Sequence, residues 1–261
     1  METDDVLTML QDVAERVVTP RFRSLRDDQV TSKSHPGDLV TVADREAEVL
    51  ITEALRAAYP DAVVLGEEAT AADPTTLDRF RAAEHAFTVD PVDGTRNFVK
   101  GSPDHAVMAA EVRGGEVTRS WIWQPQHEAA YVAERGAGAW RNGERLTRPP
   151  VGEVLRGVTS RRHWIGRALG TLRKLELTWV CSGVDYPKIV EGAADYALFL
   201  KPHAWDHAPG SLLLTEAGGH VGTSEGRPYE VQGRTPRLLV SAADKETYDL
   251  VQGLVGELPG L

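Results

Sequence analysis

The chain has 261 residues, 41% hydrophobic and 26% charged, long enough to bury a sizeable core. Its net charge of -10 argues against a dedicated nucleic-acid binder, whose surface would be basic, and its single cysteine, Cys181, excludes an intrachain disulfide. No run approaches the roughly 18 apolar residues of a membrane span, and the acidic start Met1-Glu-Thr-Asp-Asp5 has no apolar signal core. The expectation is a soluble cytoplasmic protein with neither membrane nor nucleic acid as partner.

In chain order, a helix is predicted over 3–26, where Val6, Leu7, Leu10, Val13, Val17 and Val18 recur at near-helical spacing and Pro20 kinks or breaks the pattern. A polar loop over 31–37 follows. A second helix spans 42–58, with Thr41 and Asp44 spaced as a capping box. A short buried strand, Val63-Val64-Leu65, runs into Gly66-Glu67-Glu68, and 69–84 reads as a loop with a helical piece. The run Ala86-Phe87-Thr88-Val89 is a strand that should end at Asp90-Pro91, because proline has no N–H for a ladder. A helix should begin just after Asp93-Gly94-Thr95. Residues 105–143 change to strand periodicity, with strands at 105–112, 117–123 and 128–135 and a Gly-rich hairpin at 136–143, which makes an antiparallel meander. Beyond Pro149-Pro150 the expected order is strand 156–160, helix 164–175, strand 176–181, helix 186–192, strand 196–200, helix 211–217, strand 237–241 and helix 244–254. Trp121 and Trp123 alternate on their strand, either as core or as a subunit contact.

The chemistry lies in the acids. Glu67 and Asp90 stand at strand ends, Asp93 follows Asp90 closely, and Asp206 follows the strand at 196–200. Each has a plain reading: a solvated turn for Glu67, a turn cap for Asp90 and Asp93, and an N-cap for Asp206. Together they suggest a hard cation, since crowded carboxylates repel without one. Mg²⁺ binds through few protein carboxylates plus water and phosphate oxygens, and backbone N–H groups at a helix start form an anion site.

These residues carry a resemblance. Asp90-Pro-Val-Asp-Gly-Thr95 with Asn97-Phe98, Gly66-Glu67-Glu68 upstream, Trp205-Asp206 with Glu216-Ala-Gly-Gly219 downstream, Asp38-Leu-Val-Thr…Asp44 and the 136–143 hairpin together resemble the inositol monophosphatase family. The matches span roughly residues 33 to 221 in the family's order. The resemblance implies a layered αβαβα sandwich of α+β and α/β type, in one unit. Its N-terminal half (1–147) would carry the metal site and its C-terminal half (148–261) would complete it. It also implies Mg²⁺-dependent hydrolysis of a small phosphate monoester, most readily inositol monophosphate, by a metal-activated water with no covalent intermediate. By the same resemblance Glu67, Asp90, Asp93, Asp206 and the Val92 carbonyl would ligate metal, and Gly94 and Thr95 would hold the phosphate. Asp44 with the Thr95 hydroxyl, aided by Glu67, would activate the water. A lithium-sensitive homodimer acting on a small phosphorylated metabolite is the family expectation.

The substrate-facing part departs from the family. Where members have Gly-Ser/Thr-Ala-Ala, this chain has Val180-Cys181-Ser182-Gly183, then Asp185-Tyr186. Where inositol-hydrolysing members place a ring-binding Glu, the ungapped count lands on Phe199, which cannot accept a hydrogen bond. Ser182, Asp185 and Lys201 could compensate, and Asp93 and Asp206 would also touch the substrate. Alternatives are a histidinol-phosphate, fructose-1,6-bisphosphate or 3′-phosphonucleotide phosphatase, or a non-catalytic regulatory homologue. A basic pocket would favour the bisphosphates, and an acidic one the cationic histidinol phosphate. Arg96 reads as an exposed helix charge, His203 and His207 as surface turn residues, and Cys181 as buried and unreactive.

Overall fold

The computed structural model describes residues 1–33 and 39–261, so Asp38 of the N-terminal motif lies outside the described residues. Helix α1 (Thr3–Val13) passes into a π-turn (Ala14–Val18) and a 3-10 turn (Thr19–Arg21) at Pro20, which cannot continue an α-helical ladder. A small ribbon, β1 (Val30–Ser32) with β2 (Leu39–Thr41), leads into α2 (Val42–Ala58). The predicted capping box is formed: Thr41 Oγ1 accepts the Ala43 N–H at 3.1 Å, and Asp44 Oδ2 accepts the Thr41 N–H at 2.9 Å. Then come β3 (Val63–Gly66), α3 (Glu67–Ala72), α4 (Thr75–Ala82), β4 (His85–Asp93) and α5 (Thr95–Val99). The meander is β5 (Ala106–Arg113), β6 (Glu116–Gln124), β7 (Ala129–Glu134), β8 (Gly138–Arg141) and β9 (Glu144–Leu146). The remainder is β10 (Gly157–Thr159), β11 (Glu176–Leu177), α6 (Ser182–Val190), β12 (Tyr196–Leu200), α7 (Ala204–Glu216), β13 (His220–Thr223), β14 (Leu238–Ala242) and α8 (Lys245–Leu254).

Strands β3 to β9 form one sheet in sequence order, with only β3–β4 parallel. The second sheet has the order β11-β10-β12-β14-β13, with β10 parallel to both β11 and β12. Five layers result. Helices α1 and α2 cover one face of the large sheet, burying Val6, Leu10, Ile51 and Leu55 against Phe87, Val89 and Trp121. Helices α6 and α7 lie between the sheets, where Tyr186, Ile189, Leu212 and Leu213 meet Met108 and Ile122. Helix α8 covers the outer face of the small sheet through Tyr248 and Val251. Trp121 is core: it is buried, and its indole N–H donates to the Thr3 carbonyl at 2.9 Å. Among the described residues, no helix is long and apolar enough to cross a membrane.

Several sequence expectations need correction. Strand β4 does not stop at Pro91. It continues to Asp93 through a bulge in which Pro91 and Val92 together oppose Val107, and a proline without an N–H is tolerated at a bulge. Residues 164–175 are not helical: after one 3-10 turn (Arg162–Trp164) the chain is irregular, with Gly166 and Gly170 left-handed at φ 80° and 52°. Trp164, Leu169 and Leu175 are buried there without helical spacing. Strand β11 holds two residues of the predicted 176–181, and 69–84 contains two helices. Helix α6 starts at Ser182, four residues before the predicted 186. Pro187 sits inside it, and the Gly183 carbonyl that a residue-187 N–H would have bonded is taken at 2.7 Å by the Gln124 side chain. Helix α7 likewise begins at Ala204 in spite of Pro209, so Asp206 is a first-turn residue and His203 the N-cap.

Candidate active site

The bulge in β4 sets the geometry. Residues three apart on a regular strand point to opposite faces, and one inserted residue returns them to the same face. Asp90 and Asp93 accordingly each offer an oxygen, together with Asp206 from the first turn of α7, within 4.8 Å of one another. Burial, then the charges of Glu67, Asp93, Asp206 and Asp44, hold the Asp90 carboxyl well above the usual carboxylate range. Asp206 is pushed the same way by burial and by Asp93 and Glu67. Burial raises Asp93 to about 6 against hydrogen bonds that favour its ionised form. Its Oδ2 accepts the Gly183 N–H at 2.5 Å and lies 3.0 Å from Cys181 Sγ. Among the described residues, Asp90 Oδ1 is buried without a hydrogen-bond partner. Three crowded carboxylates and an orphaned buried oxygen fit a divalent cation.

Glu67 opens α3, and its Oε1 lies 2.7 Å from Lys33 Nζ. Its charge reaches Asp90, but it is not in the three-oxygen group. Lys33 also pairs with Glu68, a carboxyl that burial raises to about 7. Sequence reasoning passed over Lys33, and nothing in its local pattern marks it. It also passed over Glu48, whose carboxylate accepts the N–H groups of Glu68 and Ala69 at 2.7 Å each and so fixes the start of α3. Here a signal existed, because Asp44, Glu48, Ile51 and Leu55 share one helical stripe and that stripe is the buried one. Gly66 makes room for this carboxylate: a Cβ there would lie 2.3 Å from Glu48 Cδ.

Thr95 and Asp44 meet as expected. The Thr95 hydroxyl lies 3.0 Å from Asp44 Oδ1 and 3.0 Å from the Val92 carbonyl oxygen. Burial raises Asp44 to about 6, against hydrogen bonds from Thr41. Gly94 precedes Thr95 at φ 79°, where a Cβ would come within 3.0 Å of the Asp104 carbonyl oxygen and of Cys181 Cβ. Asn97 ties α5 to the next loop, donating to the carbonyls of Asp104 at 2.8 Å and Trp179 at 2.9 Å.

A cleft of about 410 Å³ opens over these acids, and its walls include Asp93, Ser182, Asp185, Phe199 and Asp206. Asp185 is buried and turned toward the loop, accepting the Trp179 N–H at 2.7 Å. Phe199 is also buried, stacked on Tyr186 at 5.4 Å and against His207 at 4.7 Å. His207 is not a surface residue: it is buried, with Nδ1 3.0 Å from the Tyr186 hydroxyl. Arg96 is half-buried and lines the cleft beside Asp93. Cys181 is buried, and burial followed by the neighbouring Asp93 raises its thiol pKa, which makes it a poor nucleophile.

The fold and the site define a layered αβαβα protein with an acidic, cation-seeking cleft at the junction of its two sheets. Residues 2–257 match the inositol monophosphatase family, and the chain belongs to it. Members are phosphoric monoester hydrolases, and so is this protein. It is 34% identical over 228 residues to an inositol-1-monophosphatase of Rhizobium meliloti, covering 80% of this chain and 81% of that one. A fructose-1,6-bisphosphatase/inositol-1-monophosphatase of Thermotoga maritima is 29% identical over 242 residues, covering 90% and 91%. Among solved structures, an IMPase/NADP phosphatase complexed with Mg²⁺ and phosphate superposes with a TM-score of 0.80 at 21% identity, covering 97% of this chain and 93% of that one.

Proposed function

We propose that this protein hydrolyses small phosphate monoesters of polyols and sugars, inositol monophosphate among them, with Mg²⁺ as its cation. The observation that carries the reading is the convergence of Asp90, Asp93 and Asp206 around a buried oxygen without a hydrogen-bond partner, next to the Thr95–Asp44 pair. Asp90, Asp93, Asp206, Glu67 and the Val92 carbonyl would hold the cation. Bound there, it would neutralise phosphate charge and acidify water.

The chain's own groups supply the rest. Gly94 takes the left-handed turn from β4 into α5 where a side chain would press on Asp104 and Cys181, and the Gly94 and Thr95 N–H groups at that turn would donate to a phosphate. The Thr95 hydroxyl positions the attacking water, and Asp44 takes its proton. A carboxyl raised to about 6 is a better base at neutral pH than an ordinary aspartate. No nucleophilic side chain is needed, since positioning and charge neutralisation carry most of phosphoryl transfer. The intact acid set speaks against a non-catalytic role, because buried carboxylates without a cation cost stability.

The test is phosphate release from inositol 1-phosphate, histidinol phosphate, fructose 1,6-bisphosphate and adenosine 3′,5′-bisphosphate, with and without Mg²⁺. Mg²⁺-dependent release from at least one is expected, and none from any would overturn the reading.

A further inference from the structure

We infer that the outer face of the large sheet carries a second ligand site, built for a small organic cation with an apolar body. The site is a cavity of about 570 Å³ between α1 and strands β7 and β8, larger than the catalytic cleft and sharing no lining residue with it. The register explains why it exists. The ladder sets Trp121 opposite Val132 and Val132 opposite Trp140, so the three form one row on one face of the sheet. Helix α1 seals the row at Trp121, which is fully buried with its indole N–H on the Thr3 carbonyl. Val132 and Trp140 lie beyond that seal and stay half-buried. With Leu7 of α1 and Ala130 of β7 they make an apolar wall. An apolar cavity of this size with a few placed polar groups suits a small molecule.

Charge selects the occupant. The polar lining is Glu2, Asp4, Glu134 and the amides of Gln11 and Asn142, with no lysine or arginine. None of the three acids makes an ion pair with a described residue. Arg119 stands opposite Glu134 in the ladder but turns to Glu111 on its other side, at 2.5 Å. Arg145, opposite Trp140, lies over the indole ring at 5.9 Å from its centroid, so this ring already holds one cation. A second copy of the chain is a poor occupant. In a two-fold pairing the same acids would face each other, and each chain carries a net charge of -10. An indole beside carboxylates without counter-charges complements an ammonium on an apolar body.

The experiment follows the indole N–H resonances of ¹⁵N-labelled protein during titration with 4-phenylbutylammonium, 4-phenylbutanol and 4-phenylbutyrate, three probes that share one body and differ in charge. Trp140→Phe identifies the Trp140 signal. The ammonium should shift that signal saturably and bind about tenfold or more tighter than the alcohol or the carboxylate, with the advantage shrinking as salt rises. Trp140→Ala, followed through the remaining indoles and by calorimetry, should weaken the ammonium about fivefold. The Asp4→Asn/Glu134→Gln double variant should bring it down to the affinity of the alcohol. Melting curves check that the variants fold. A Trp140 signal that does not saturate with the ammonium overturns the inference, as does equal binding of the three probes or full ammonium affinity in the double variant. A Trp140 shift that tracks protein concentration without any probe would assign the face to a second copy and also overturn it.

Discussion

Asp90 and Asp93 lie three residues apart on one strand, yet their carboxylates fall on the same side of it, within 4.8 Å, because Pro91 and Val92 share a bulge opposite Val107. The arrangement favours function over stability. In metal-free protein, Asp90→Asn should relieve repulsion among the buried acids and stabilise the fold by about 1–2 kcal/mol, or about 2–8 °C for a chain of this size. Mg²⁺ should raise the melting temperature of wild type and leave that of the variant nearly unchanged. Differential scanning calorimetry with and without Mg²⁺ checks both, and a variant that melts lower and still responds to Mg²⁺ would contradict the account.

The Thr95–Asp44 contact separates catalysis from metal binding. Thr95→Val keeps the shape and removes the hydroxyl that Asp44 accepts at 3.0 Å. Its kcat should fall by about 10²–10⁴ with KM little changed. The Mg²⁺-induced thermal shift should survive, and Thr95→Ser should restore most of the rate. Loss of the thermal shift in Thr95→Val would assign the residue to folding or metal binding.

Gly66 and Glu48 form a second testable pair. Gly66→Ala puts a methyl where the Glu48 carboxylate lies, so it should displace the anchor of α3 and cost about 1–3 kcal/mol. In a Glu48→Ala background the space is already open, so the same substitution should cost much less. Urea unfolding of the four-member cycle measures the coupling, and strict additivity would show that the two groups do not compete for that space.

His105 should give a pH-dependent stability outside the active site. It is fully buried between the rings of Phe22 and Phe98, with Nδ1 3.3 Å from the Ser102 carbonyl oxygen and Nε2 unpartnered. Burial lowers its pKa from 6.5 to about 4; Ser102 and Asp104 favour the charged form, and His127 opposes it. The unfolded chain then binds the extra proton first. Stability from the neutral ring is complete above pH 6.5 and is lost as pH falls toward about 4, by up to about 3 kcal/mol. Urea midpoints across this range should show the slope, and His105→Leu should reduce it, leaving the part owed to His207, whose pKa burial also lowers, to about 3. An unchanged slope in the variant would exclude His105 as the source.

The order and type of most long elements were legible in the sequence, because α2, β12 and the meander carry clean periodicity and clear turn chemistry. The meeting of Asp90, Asp93 and Asp206 was legible as well, since these acids crowd positions where turns need fewer charges, whereas Glu67, expected among them, lies outside that group and pairs with Lys33. Local rules failed where tertiary partners override them. Pro91 could remain in a strand because a bulge absorbed its missing N–H, and Pro187 in a helix because Gln124 takes the freed carbonyl. The stretch 164–175 has helix-like apolar content, but Gly166 and Gly170 turn it and Trp164 anchors it to the core. Lys33 acts through partners distant in sequence, Glu67 and Glu68, which no local spacing shows, whereas Glu48 was marked by the buried stripe of α2 though its meeting with the start of α3 was not.

Phosphate release from a small phosphate monoester as a function of Mg²⁺ concentration, for wild type and Asp93→Asn, decides whether the clustered acids hold a catalytic cation. Saturable dependence on Mg²⁺, abolition by chelator, recovery on readdition, and a loss of about 10³ or more in Asp93→Asn across the same Mg²⁺ range are expected. Hydrolysis indifferent to chelator, or full Mg²⁺-dependent activity in Asp93→Asn, would contradict a catalytic cation there.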